Sequence, residues 1–162
     1  EIDGLICESF AYDLPVPGFV PSLLKGFDYI APHLHVYTLK NENFSRDPQV
    51  VDSMNNDPLI HGESQPVQTS VVMIDAANRL NEEFHLIKLP VLILHGTEDK
   101  VTNPSGSQFF YDNAGSTDKT LKLYEGHYHD LLNDIDKEVV MADINGWIDE
   151  RVSVIRTKSA AL

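Results

Sequence analysis

The run Pro90-Val91-Leu92-Ile93-Leu94 constrains this chain more than any other feature. It is short, almost wholly apolar and rich in β-branched residues, as a parallel strand buried on both faces must be. The residues after it keep a strict order. A polar loop covers 96–103, and Pro104 suits the first turn of a helix reaching about 114. A second central strand is expected over 120–124, a loop over 126–130 and a final helix over 137–156. Val140, Ile144, Trp147, Ile148, Val152 and Ile155 share one face of that helix. Strand, loop, helix, repeated twice, predicts an α/β layer with a parallel sheet.

The first half does not alternate in this way. A short apolar strand is expected over 4–9, buried between polar residues, and the Pro- and Gly-rich segment 13–18 then breaks the chain. Val20, Leu23, Leu24, Phe27, Ile30 and Ala31 follow helical spacing and predict an amphipathic helix over 21–31. The signal over 32–46 is weak, with extended character around Val36 and Tyr37. Asp47-Pro48 opens a helix over 49–54, which Asn55-Asn56-Asp57-Pro58 ends, and 58–66 reads as loop. Thr69 or Ser70 is expected to cap the next helix, whose face carries Met73, Ala77, Leu80 and Phe84. The stretch 12–87 thus reads as a mostly helical insertion of the kind that forms a cap. The chain opens without Met and runs straight into a strand, as a chain beginning mid-domain does. A processed N-terminus is the other reading.

Composition removes several function classes. The 162 residues carry 12 Lys plus Arg against 25 Asp plus Glu, a formal charge of −13. With no basic run, such a chain is not expected to bind nucleic acid. At 42% apolar and 23% charged residues it is too apolar for a disordered acidic tail. No apolar run approaches the roughly 20 residues needed to cross a bilayer. Cys7 stands alone, so neither a disulfide framework nor a multi-cysteine metal site is available, and a cytoplasmic setting is expected.

In open α/β sheets ligands bind beyond the carboxyl ends of the strands. Two loops lie there, His95-Gly96-Thr97-Glu98-Asp99-Lys100-Val101-Thr102 and Glu125-Gly126-His127-Tyr128-His129-Asp130. One offers carboxylates, the other imidazoles. A carboxylate bonded to imidazole Nδ1–H fixes the tautomer, leaving Nε2 to take a proton from a nucleophile. Asp99 alone would read as a turn residue, and His129 alone as a helix-entry or surface histidine. In consecutive loops at one sheet edge, acid–base chemistry is the stronger reading. Glu98 and His127 remain rivals, and His95 sits at the strand end, where an imidazole commonly makes a core hydrogen bond. No Gly-x-Ser-x-Gly turn occurs; Gly62-Glu63-Ser64-Gln65-Pro66 comes nearest, but comes after no strand. Cys7 lies inside a predicted strand and reads as a buried thiol. The His and carboxylate spacing matches no metal motif, and neither metal nor cofactor is expected.

These segments resemble the C-terminal half of a monoacylglycerol lipase or lysophospholipase of the α/β-hydrolase superfamily, over about residues 2–151. The run 90–102 resembles the family's strand and acid loop, which implies Asp99 as the triad acid. The run 118–129 resembles its last strand and histidine loop. There the triad His falls three residues after the Gly, which implies His129 and not His127. Ser45-Arg46-Asp47-Pro48 with Asp57-Pro58-Leu59 resembles a cap segment of this lipase branch. The superfamily order of serine, acid and His places the serine upstream of Glu1, together with the oxyanion donors. The resemblance implies one α/β-hydrolase domain seen over its C-terminal half, with the cap at about 12–87. It implies a serine hydrolase of long-chain monoesters that would be inactive as this piece alone. The missing half or another chain would pack on the first strand. Phe10, Tyr12, Phe19, Val20, Leu23, Leu24 and Phe27 form a bulky set before and within the first cap helix; Phe19, Leu23 and Phe27 are the expected acyl wall. An apolar cap of this kind could also touch a membrane surface. An epoxide hydrolase, dehalogenase or peptidase would use the same acid and His, and a non-catalytic binding half-domain is the other class.

Overall fold

The computed structural model describes residues 2–12, 18–60, 62 and 64–160, with side chains as far as Val152. Most of the expected break at 13–18, and the side chain of Ile155, lie outside the described residues. Three parallel strands form the sheet: β1 (Leu5–Glu8), β4 (Val91–Gly96) and β5 (Lys119–Tyr124), in the order β1-β4-β5. Between β1 and β4 come α1 (Val20–Ile30), β2 (His35–Tyr37), α2 (Pro48–Asn56), β3 (Gln65–Pro66) and α3 (Val67–Glu83). After β4 come α4 (Pro104–Asn113), β5 and the long α5 (Lys137–Ala160).

Strand β4 is buried along its whole length, because both its neighbours are strands and both its faces are covered. Val91 and Ile93 point to one side and pack with Phe84, Phe110 and Ala114. Leu92 and Leu94 point to the other and pack with Tyr124, Leu131 and Val140. Helix α4 therefore closes one face and α5 the other. Each of these buried aliphatic side chains contributes about 1.5–3 kcal/mol relative to exposure.

Four expectations are corrected. Strand β1 is half-exposed where burial was expected, with Leu5 and Ile6 both 37% exposed. Its outer edge pairs with no strand among the described residues. Helix α3 begins at Val67, ahead of Thr69 and Ser70. It needs no side-chain cap there: the Val67 and Gln68 N–H groups donate to Leu34 O and Pro32 O. Residues 65–66, read as loop, form β3 and pair antiparallel with β2. On α5, Val140, Ile144 and Trp147 pack, whereas Ile148 and Val152 are exposed.

The remaining boundaries reflect local chemistry. Asp47 caps α2, its carboxylate accepting from Gln49 N at 2.8 Å, and Pro48 fills the first helical position. Helix α1 packs on α3, and Lys25 Nζ reaches Asp75 Oδ1 at 2.7 Å between them. No helix among the described residues is long and apolar enough to cross a membrane.

Candidate active site

Two loops leave the carboxyl ends of β4 and β5 and are laced together by backbone bonds. Thr97 N donates to Tyr124 O at 2.9 Å and Glu98 N to His127 O at 3.0 Å. Gly126 turns at φ +73°, a conformation that favours glycine, and its N–H donates to Thr97 Oγ1 at 2.8 Å. Gly96 is a close-approach glycine, since a Cβ there would collide with the carbonyl oxygens of His127 and Tyr128.

This lacing brings Asp99 and His129 together. His129 Nδ1 lies 2.8 Å from Asp99 Oδ2, and the Asp99 carboxylate is fully buried. Its other oxygen, Oδ1, accepts from Val101 N at 2.7 Å and Thr102 N at 3.0 Å. Asp99 is thus a turn-forming residue through one oxygen and an imidazole partner through the other. Thr102 Oγ1 donates to Oδ2 at 3.0 Å, and His95 Nε2 lies 3.0 Å from the same atom. Burial alone would raise this carboxyl. The bonds from His129, then His95, then Thr102 N and Val101 N outweigh it and hold Asp99 well below the usual carboxylate range. An ionised Asp99 accepts only, so His129 must present Nδ1–H to it and leave Nε2 unprotonated when neutral.

The rivals are elsewhere. Glu98 is exposed and meets the other loop through its backbone N–H. His127 is buried against Tyr124, and its Nδ1 lies 3.2 Å from Glu125 O. The Cys7 thiol is pushed up to about 11 by burial and then by the Glu8 charge, so it is a poor nucleophile.

Several contacts could not be read ahead. Asp134 is buried and accepts from Arg46 N at 2.6 Å, Arg46 Nε at 2.8 Å and Tyr128 N at 2.8 Å. Burial would raise its carboxyl, but the Tyr128 N–H, then the Arg46 N–H and guanidinium, lower it on balance. Ser45 Oγ donates to Asn133 O, and Asp130 N to Phe44 O, both at 2.8 Å. The Phe44 ring stands edge-on to His129, with centroids 5.2 Å apart. The segment 44–46 therefore braces both sides of His129. Ser9, at φ +47°, donates its hydroxyl to His129 O at 2.5 Å and braces it from β1. Asp99-Lys100-Val101-Thr102 carries a turn signature that marks Thr102; Asp134 carries no local signature.

A cavity of about 790 Å³ opens beside this site, between α1, α3 and α4. Tyr12, Val20, Leu24, Ile74, Ala77 and Phe109 supply its apolar wall, and Val101 and Ser105 border it next to the Asp99 turn. Phe19, Leu23 and Phe27, the expected wall, do not line it. They are 67%, 52% and 43% exposed, on a stripe of four-residue spacing. Val20 and Leu24 lie one residue further on, about 100° around the helix, and face the cavity.

A parallel sheet with helices on both faces, and a buried acid bonded to an imidazole beyond adjacent strand ends, defines the α/β-hydrolase class. A family model described as serine aminopeptidase, S33, matches residues 1–136, and the chain belongs to that family. A caffeoylshikimate esterase of Arabidopsis thaliana is 36% identical over 71% of this chain and 36% of its own length. A monoacylglycerol lipase of Mycolicibacterium smegmatis is 30% identical over 78% of this chain and 45% of its own. The crystal structure of Paleococcus ferrophilus monoacylglycerol lipase superposes with a TM-score of 0.84 at 30% identity, covering 93% of this chain and 60% of that one. The chain thus spans less than half the length of these two curated relatives.

Proposed function

We propose that this chain supplies the acid and the base of a serine hydrolase that cleaves carboxylic esters, with monoacylglycerols or similar long-chain monoesters as substrates. The observation that carries the reading is the 2.8 Å bond between buried Asp99 and His129, made across consecutive strand-end loops. Asp99 orients the imidazole and stabilises its protonated form. His129 Nε2 takes the proton from the serine hydroxyl as the hydroxyl attacks the ester carbonyl, then gives it to the leaving alkoxide. Water repeats the sequence on the acyl-serine and releases the acid. The serine and the oxyanion donors come from polypeptide outside this chain, which packs its own strand on the outer edge of β1.

The cavity beside the Asp99 turn suits an acyl chain, because its wall is predominantly apolar and its lining reaches Val101 in the acid loop. The outward stripe of Phe19, Leu23 and Phe27 belongs to the same helix, and is the surface we assign to contact with a lipid aggregate. The setting we propose is cytoplasmic, where a lone, half-buried thiol stays reduced.

Fluorophosphonate labelling tests the reading. The probe is expected to label the protein that carries the serine and to leave the isolated 162-residue chain unlabelled. Labelling of the isolated chain would place a nucleophile within it and refute the assignment.

A further inference from the structure

The proposed chemistry uses one histidine of the Asp99 carboxylate and leaves the other unexplained. His95 is wholly buried near the end of β4. Its Nε2 lies 3.0 Å from Asp99 Oδ2, the oxygen that also receives His129 Nδ1. Its Nδ1 lies 2.7 Å from Ser107 Oγ, itself fully buried on α4. An ionised carboxylate only accepts, so His95 must carry its proton on Nε2. When the ring is neutral, Nδ1 is then an acceptor and the Ser107 hydroxyl must donate to it. Oδ2 thus receives three donors: His129, His95 and Thr102 Oγ1, the last at 3.0 Å. The remaining contacts around His95 are long, with Thr102 Oγ1 at 3.4 Å from Nε2.

We propose that His95 is a positioning residue for the Asp99–His129 pair, holding the carboxylate from the sheet side while Ser107 fixes its own tautomer and ring orientation. The inference rests on Asp99 and His129 being the acid and base of the triad. The geometry has two consequences. With His95 bonded, Asp99 cannot swing its Oδ2 away from His129, so the imidazole stays aimed at the nucleophile. His95 also takes a share of the negative charge on Oδ2 that would otherwise fall to His129 and Thr102 Oγ1 alone. A core histidine with a merely structural role would do neither of these things.

The test uses the protein that carries the serine, with turnover normalised to active sites counted by an acyl-enzyme burst. His95→Leu keeps the bulk and removes the donor. It is expected to lower kcat by about 10-fold or more while KM stays within about twofold. The acid limb of the kcat/KM profile is expected to move to higher pH, because Oδ2 then gives more of its charge to His129. His95→Gln keeps an N–H donor and is expected to restore both the limb and most of kcat. Parent-like kcat and acid limb in His95→Leu, or a His95→Gln as impaired as His95→Leu, would overturn the proposal. If His95→Leu does not fold, Ser107→Ala decides. A kcat loss of about threefold with a displaced limb supports it, and a parent-like profile overturns it. His129→Ala is measured alongside. Full activity there would refute the triad reading itself, whereas an inactive His129→Ala beside a parent-like His95→Leu overturns only the role of His95.

Discussion

Asp134→Asn isolates the latch that joins the segment before α2 to the histidine loop. The substitution keeps the size of the side chain, removes the charge paired with Arg46 and turns one acceptor oxygen into a donor. An amide retains one acceptor, which can stay with Arg46 N, now bonded to Oδ1 at 2.6 Å. Its NH₂ then faces the Tyr128 N–H and the Arg46 Nε–H, both at 2.8 Å from Oδ2, so donors meet donors. A buried donor left unpaired costs about 1–3 kcal/mol, and a lost charge-assisted bond about 1.5–3 kcal/mol. The Arg46 side chain is 26% exposed and keeps its Nη2 bond to Ile135 O, so part of its loss is recovered in water. The expected cost is about 2–4 kcal/mol in unfolding free energy, read from urea melts monitored by circular dichroism. Tyr128 precedes His129, so its release loosens His129 as well. Turnover of a monoacylglycerol is expected to fall by about 10- to 100-fold with little change in KM. A variant within about 0.5 kcal/mol of the parent, with full turnover, would show that the latch holds nothing the rest of the fold does not.

Three further outcomes are expected. His129→Ala should cost on the order of 10³-fold or more in kcat, while His127→Ala costs far less; the reverse ranking in a steady-state ester assay would move the base to His127. Gly96→Ala should destabilise by about 1–3 kcal/mol and depress activity, because its Cβ collides with backbone of the histidine loop; a parent-like melting temperature would contradict that crowding. Asp99 and Asp134 both titrate below their ordinary value of 3.8 when folded, so the unfolded chain binds protons first as the pH falls. Their stabilisation is complete above about pH 4 and is lost as the pH drops through the folded values, and Asp134→Asn should flatten that decline in acid-unfolding curves.

The back of the fold was legible in the sequence because burial on both faces leaves no freedom: β4 needs a continuous apolar run, and Val91 to Leu94 supply it. The meeting of the two loops that carry Asp99 and His129 was legible for a related reason, since adjacent parallel strands must end side by side; the choice of these two over Glu98 and His127 rested on the family resemblance. The features that escaped depend on distant partners. Nothing near Pro66 says that carbonyls of Pro32 and Leu34 start α3, and nothing near Asp134 names Arg46, 88 residues away. Helix α1 misled for another reason. It carries bulky apolar residues on two adjoining stripes, and spacing alone does not say which one meets α3 and the cavity. His95 follows directly on the apolar run, at a strand end where one core hydrogen bond is expected, and no sequence pattern betrays its second partner.

The bracing of His129 by residues 44–46 also decides where this molecule can be cut and rejoined. Exchanging the whole block between β1 and β4 with that of a relative would carry away Phe44, Ser45 and Arg46, and with them the partners of Asp130, Asn133 and Asp134. A chimera made that way would change the cavity between α1, α3 and α4 and strip the bracing from His129 in one step. Transplanting α1 and α3 while leaving residues 41–47 with the host separates the two. The cavity wall would then travel with the helices, and the bracing of His129 would stay with the sheet.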